Sequence, residues 1–225
     1  ISRQLKEVTE LFLKRAVEKS SQLTEVFEVL KVKLSQKGTT FRYRGKDYKT
    51  SLIGEHQAHN ASLVIESMKI YDSSIPEVII DRGLKGVFWA GRMQKIYKKI
   101  FFDVAHNKKS IKSLISTTKT LFPNLPIYGL FCLKGDKELG IIAEEISKVF
   151  DQLFVCDDKN KFLLKKEILS KKLINLRVKN KITRSIEVGI DQLKYLTNKK
   201  GVGLVFGSHY IANDILRCSE ISFIR

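Results

Sequence analysis

Apolar residues recur along this chain with two different rhythms, and the rhythm changes just past residue 91. In the first stretch Leu5, Val8, Phe12 and Ala16 stand three or four residues apart between charges, which predicts a helix over residues 3–19. A strand-like zone follows. Residues 25–34 are rich in Val and Leu, and residues 41–53 alternate around Gly45-Lys46, the pattern of a hairpin. Ala61, Val64, Ile65 and Met68 mark one face of a helix over 57–71. Ser74-Ile-Pro-Glu77 has the spacing of a capping box with an early proline, so a further helix is expected from there to about Gly83.

Beyond Gly91 strands and helices alternate. Strands are expected at 96–104, 127–133, 153–156, 174–178 and 203–206. Helices are expected at 110–121, 139–150, up to about 170, at 184–196 and at 210–217. Five strands interleaved with helices predict a mostly parallel sheet covered on both faces. The boundary is placed so that residues 1–92 form one domain and 93–225 a second, Rossmann-like domain.

Composition narrows the class. The 225 residues carry 41 Lys and Arg against 24 Asp and Glu, a net charge of +17, and 43% are hydrophobic. That content suffices for a core and argues against disorder. No apolar run is long enough to cross a membrane as a helix, and Ile1-Ser-Arg-Gln-Leu is no signal peptide; a chain starting at Ile1 is expected to belong to something longer. The charge suits a polyanionic partner, or simply solvated faces. Lysine predominates, and pairs such as Lys98-Lys99 and Lys171-Lys172 are scattered with few aromatics beside them. No nucleic-acid partner is therefore expected. Cys132, Cys156 and Cys218 form neither a disulfide framework nor a zinc spacing, which fits reduced thiols and a cytoplasmic location.

Candidate chemistry gathers at the ends of the predicted strands, where open α/β sheets bind ligands. Asp103 closes the first strand of the second domain within Phe101-Phe-Asp-Val-Ala-His-Asn107, suited to a ribose diol. His106 and Asn107 open the next helix, where they either cap it or face a ligand. Arg92 stands at the junction, a surface residue or a phosphate contact. Asn60, early in its helix, either caps it or offers its amide to an adenine edge. Gly207-Ser208-His209 is a phosphate or carboxylate contact, or only a turn. His56 and His59 lack a third metal ligand nearby, and no metal site is expected. Neither G-x-x-x-x-G-K-[ST] nor G-x-G-x-x-G after a strand occurs.

Taken in order, five strings resemble the folylpolyglutamate synthase / dihydrofolate synthase family of the Mur ligase superfamily. They are Leu52-Ile-Gly-Glu-His-Gln-Ala-His-Asn60, Trp89-Ala-Gly-Arg92, Phe102-Asp-Val-Ala-His-Asn107, Gly135-Asp-Lys-Glu138 and Phe206-Gly-Ser-His-Tyr210. The resemblance covers about residues 48–217, the second half of such an enzyme. Ala90 stands where the family commonly has proline, and Val104 where it has glycine.

The resemblance implies an α/β fold: the C-terminal part of a Mur-ligase-type central ATPase domain, then a Rossmann-like, mostly parallel-sheet C-terminal domain. It implies ATP-dependent addition of L-glutamate to folate or dihydropteroate through an acyl phosphate, in a cytoplasmic monomer. Asn60 would contact adenine, Asp103 the ribose and Arg92 the ATP phosphates. His106 would lie near the phosphates and Ser208 on the substrate side. The phosphate loop and the Mg2+ ligands belong to the family's first half, so residues 1–225 alone are expected to be inactive. The alternatives are a non-catalytic basic module that binds nucleotides or polyanions, and a cell-wall Mur-type ligase.

Overall fold

The computed structural model describes residues 1–218, in two units that part between Val87 and Phe88. The break falls ahead of the expected 92/93 boundary. Gly91, Arg92 and Met93 are tied into the second unit, because Val104 N donates to Gly91 O at 2.9 Å and Met93 N to Asp103 Oδ2 at 2.9 Å.

The first unit runs α1 (Lys6–Glu18), β1 (Leu30–Ser35), β2 (Gly38–Tyr43), β3 (Lys46–Thr50), α2 (Glu55–Tyr71) and α3 (Glu77–Gly86). The strands form an antiparallel sheet in the order β1-β2-β3. Alternation decides what is buried: Phe41 and Tyr43 of β2 and Tyr48 of β3 meet Ala58, Ala61 and Ile65 of α2 and Ile80 and Leu84 of α3. Of the face expected for α2, Ala61 and Ile65 are buried as read, whereas Val64 is 47% exposed and Ala58 takes part in the inward stripe. Helix α1 forms as its spacing predicts, yet none of its residues is buried.

The β2–β3 turn is Arg44-Gly45, both at positive φ, so the hairpin turns one residue before the expected Gly45-Lys46. The capping box at Ser74 does not form. Pro76 precedes α3 without a side-chain cap, and Ser74 bonds Asp72. The Glu77 carboxylate is taken instead by Lys46 and Tyr48 of β3, which hold it down at about 2.

The second unit continues with β4 (Gln94–Tyr97), β5 (Ile100–Asp103), α4 (Lys108–Leu121), β6 (Ile127–Phe131), α5 (Leu139–Ile146), β7 (Gln152–Val155), α6 (Lys166–Asn175), β8 (Lys181–Ile182), α7 (Ile186–Lys199), β9 (Val202–Phe206) and α8 (Ala212–Cys218). Its sheet has the order β4-β5-β9-β6-β7-β8 and is parallel except for β4. The single strand expected over 96–104 is two, because the exposed pair Lys98-Lys99 turns the chain back between Tyr97 and Ile100. The strand expected over 174–178 is absent there. Asn175 ends α6, Arg177 takes a left-handed conformation, and pairing begins only at Lys181.

Strands covered on both faces read as unbroken apolar runs. Phe102, Leu130, Phe154 and Val205 pack with Ile186, Ile190 and Leu193 of α7 and its flank. On the opposite face Phe206 lies 4.9 Å from Phe131 and stacks on Phe150 at 5.2 Å. Strand β9, last in sequence, lies between β5 and β6, so the loops leaving β5, β6 and β9 share one edge.

That edge depends on Gly207. Its φ is +114°, and a Cβ there would lie 1.7 Å from the Cys132 carbonyl oxygen, which follows β6. Neither backbone can yield without breaking the bond from Cys132 N to Phe206 O at 3.2 Å. Gly207→Ala is expected to lower the unfolding free energy of the chain by about 3 kcal/mol, read from urea titration. A loss under about 1 kcal/mol would mean that the contact relaxes freely.

Candidate functional site

The carboxyl end of β5 and the loops after β5 and β9 carry Asp103, His106 and Ser208, and Arg92 stands on the turn before β4. Asp103 is the last residue of β5 and is 9% exposed. Its Oδ2 accepts from Met93 N at 2.9 Å and its Oδ1 from Ala105 N at 2.8 Å. The carboxyl thus joins the turn before β4 to the loop after β5. Burial raises it to about 6, outweighing the two N–H donors and the attraction of Arg92 and His106. Each oxygen retains a lone pair beyond these bonds.

Arg92 is half-buried on that turn, between Gly91 (φ +70°) and Met93 (φ +45°). No hydrogen bond or ion pair joins its guanidinium to another described residue, although it acts on Asp103 through space. His106 Nδ1 lies 2.8 Å from the Val104 carbonyl, which can only accept, so Nδ1 carries the proton and Nε2 is left for a ligand. Asn107 resolves the choice between capping and binding toward capping. Its Oδ1 accepts from Ser110 N at 2.9 Å, and Ser110 Oγ accepts from Asn107 N at 3.2 Å. Lys108 and Lys109 follow in a first turn that holds no acid, so the positive helix end is reinforced.

Ser208 follows Gly207 at the same edge, 5% exposed, with Oγ accepting from Tyr210 N at 3.2 Å. Across the edge a cleft of about 470 Å³ is lined by His106, Asn107, Lys109, Asp136, Lys137 and Glu138, among others. Asp136 pairs there with Lys134 at 3.4 Å and Lys137 at 3.8 Å, and its carboxyl lies below the ordinary range.

Asn60 belongs to the first unit. Glu55 begins α2 and Gly54 is its N-cap, so Asn60 sits beyond the first turn and caps nothing. It is exposed, and its Nδ2 donates to Gln57 Oε1 at 3.1 Å, which leaves Oδ1 and one N–H available. The structure therefore gathers Arg92, Asp103, His106 and Ser208 in one unit and places Asn60 in the other. Among the described residues no group of three or more His, Cys, Asp and Glu could hold a metal ion. Sequence reading passed over Met93 and Gln94. The only signal was their adjacency to Gly91-Arg92, since a backbone N–H aimed at a carboxylate leaves no mark in residue type.

Comparison with known proteins bears on the same stretch. The glutamate ligase domain of Mur ligases matches residues 91–209. A dihydrofolate synthase/folylpolyglutamate synthase of Bacillus subtilis (strain 168) is 27% identical over 180 residues, covering 76% of this chain and 40% of that protein. A UDP-N-acetylmuramoyl-L-alanyl-D-glutamate–2,6-diaminopimelate ligase of Buchnera aphidicola is 30% identical over 146 residues, 59% of this chain and 27% of that one. The solved structure of Mycobacterium tuberculosis folylpolyglutamate synthase complexed with ADP superposes with a TM-score of 0.84 at 23% identity. That superposition covers 99% of this chain and 54% of the other, and it establishes a shared fold. The chain spans less than half the length of the curated relatives it matches.

The raised Asp103 carboxyl gives a pH signature. Its folded value, about 6, lies above the ordinary value of 3.8, so its contribution to stability is full below about pH 4 and is lost as pH rises through 6. Between pH 7 and pH 4 the unsubstituted chain is expected to gain on the order of 2 kcal/mol relative to Asp103→Asn. The check is urea unfolding of both proteins across that range. A constant difference would mean that Asp103 titrates at its ordinary value.

Proposed function

The chain belongs to the Mur ligase family, and from that premise we propose that it forms the nucleotide- and substrate-facing portion of an ATP-dependent amide ligase of the folate type. The observation that carries this reading is the half-buried Arg92 guanidinium, without a hydrogen-bond or ion-pair partner among the described residues, beside buried Asp103 at the carboxyl edge of a parallel sheet. Cationic side chains at such an edge suit phosphates.

In the proposed reaction a carboxylate oxygen of folate or dihydropteroate attacks the γ-phosphorus of ATP and ADP leaves. The amine of L-glutamate then attacks the acyl carbon, phosphate departs, and the amine loses a proton. Phosphoryl transfer of this kind needs positioning and charge neutralisation. Arg92 neutralises charge on the transferring phosphoryl group. The free lone pairs of Asp103 take the ribose hydroxyls, and the unengaged Oδ1 and N–H of Asn60 meet an adenine edge. His106 presents Nε2 as an acceptor for a ligand N–H or O–H beside the phosphates, and Ser208 offers its hydroxyl proton to the substrate. Magnesium accompanies ATP in such ligases, and the resemblance places its ligands in the family's first half. The lysine surplus suits a polyglutamate tail, which is a polyanion.

The match to a diaminopimelate-adding enzyme supports a second reading, a cell-wall precursor ligase. Substrate tests separate the two.

Titration of the full chain with ATP, followed by amide NMR, is expected to move resonances at residues 91–107 and 207–209, with a dissociation constant weaker than micromolar. Arg92→Ala should weaken that binding by about tenfold, the cost of a lost charge-assisted hydrogen bond. Shifts confined to other regions would overturn the assignment. Residues 1–225 alone should release no ADP in a folate- and glutamate-dependent manner. Such release, or release dependent on a muramoyl peptide, would correct respectively the expected inactivity or the substrate class.

A further inference from the structure

We propose that Gln94 is a positioning residue that holds Arg92 in place for the phosphates; this rests on the role given to Arg92 above. The turn carrying Arg92 is fixed at three backbone points. Val104 N donates to Gly91 O at 2.9 Å, Met93 N donates to Asp103 Oδ2 at 2.9 Å, and Gly91 N donates to Gln94 Oε1 at 3.0 Å. The first two anchors belong to β5 and the loop after it. The third comes from the first residue of β4, so Gln94 closes the turn from its other end.

Packing leaves the turn little choice. A Cβ at Gly91 would meet Val104 Cγ1 at 2.6 Å and the Phe102 ring at 3.2 Å, and the Met93 side chain is buried. Arg92 lies between two left-handed residues, a conformation a β-carbon makes costly at Met93. Without an acceptor for Gly91 N, a buried donor is stranded and the turn has reason to open.

Gln94 itself is 8% exposed, and its Nε2 is buried without a partner among the described residues. An apolar side chain of equal length would avoid that penalty. What it would not supply is the acceptor for Gly91. The glutamine is therefore accounted for by Oε1, and Oε1 acts on the backbone next to Arg92. Gln94 touches no reacting atom in this scheme; it acts through the arginine.

The test uses the full chain with Gln94→Met, which keeps length but removes the acceptor. Two readouts are taken: amide exchange at Gly91 by NMR, and binding of ATP and AMP by calorimetry. In Gln94→Met, Gly91 exchange is expected to quicken by at least about tenfold. ATP binding should weaken roughly five- to tenfold while AMP binding holds, because Arg92 serves the outer phosphates. In an Arg92→Ala background Gln94→Met should cost nothing further. Unchanged Gly91 exchange in Gln94→Met would overturn the proposal. So would equal loss of ATP and AMP, or an undiminished effect in the Arg92→Ala background, since those mark a merely structural role. Equal binding of ATP and AMP by the unsubstituted chain would instead remove the role given to Arg92, while exchange at Gly91 still decides whether Gln94 holds the turn.

Discussion

The turn that bears Arg92 and the loop that bears His106 both hang on one buried carboxylate. Asp103 ends β5 in a place where burial alone would drive it neutral, and it is held by N–H groups from two separate segments, Met93 on one side and Ala105 on the other. Those bonds fix the turn that bears Arg92 and the loop that bears His106. The same carboxyl thereby joins two segments that are apart in sequence.

The sheet order supplies the second constraint. Inserting β9 between β5 and β6 brings Gly207 against the carbonyl of Cys132 and sets Ser208 on the same edge as Asp103, about a hundred residues away in sequence. Only a residue without a β-carbon admits that approach. The cleft bordered by His106, Asn107 and the Asp136–Glu138 loop follows from the same insertion. The basic groups of this unit are not all engaged alike. Lys134 and Lys137 are engaged by Asp136, whereas Arg92 has no ion-pair partner among the described residues. A guanidinium half out of water and unpaired is the more available group for an incoming anion.

Much of this could be read from the chain. The change of rhythm past Gly91, the unbroken apolar runs of Ile100–Phe102, Ile127–Phe131 and Val202–Phe206, and the glycine and asparagine at turns together specify a parallel sheet wrapped by helices. Each of those signals is local, set by a side chain's own preference or by the period with which it must face a core. The order of the motif strings likewise resembles the family, whose glutamate ligase domain matches residues 91–209.

What the chain alone left open was decided by contacts between distant segments. Lys98-Lys99 turns one expected strand into a hairpin, and Ile96 and Ile100 on its two arms are both buried in the core that α7 shares. Glu77 leaves its expected capping role because Lys46 and Tyr48 of a neighbouring strand outbid a serine for it. Asn60 turned out too deep in its helix to cap it, since the helix starts earlier, at Glu55. The work done by Met93 and Gln94 is carried by a backbone N–H and by one side-chain oxygen turned inward, neither of which residue type or spacing records. Sequence determined which segments would be strands and helices, and which polar residues would stand at their ends. Tertiary structure decided which of those polar groups face one another, because hydrogen bonds and burial are settled by proximity in space rather than by position along the chain.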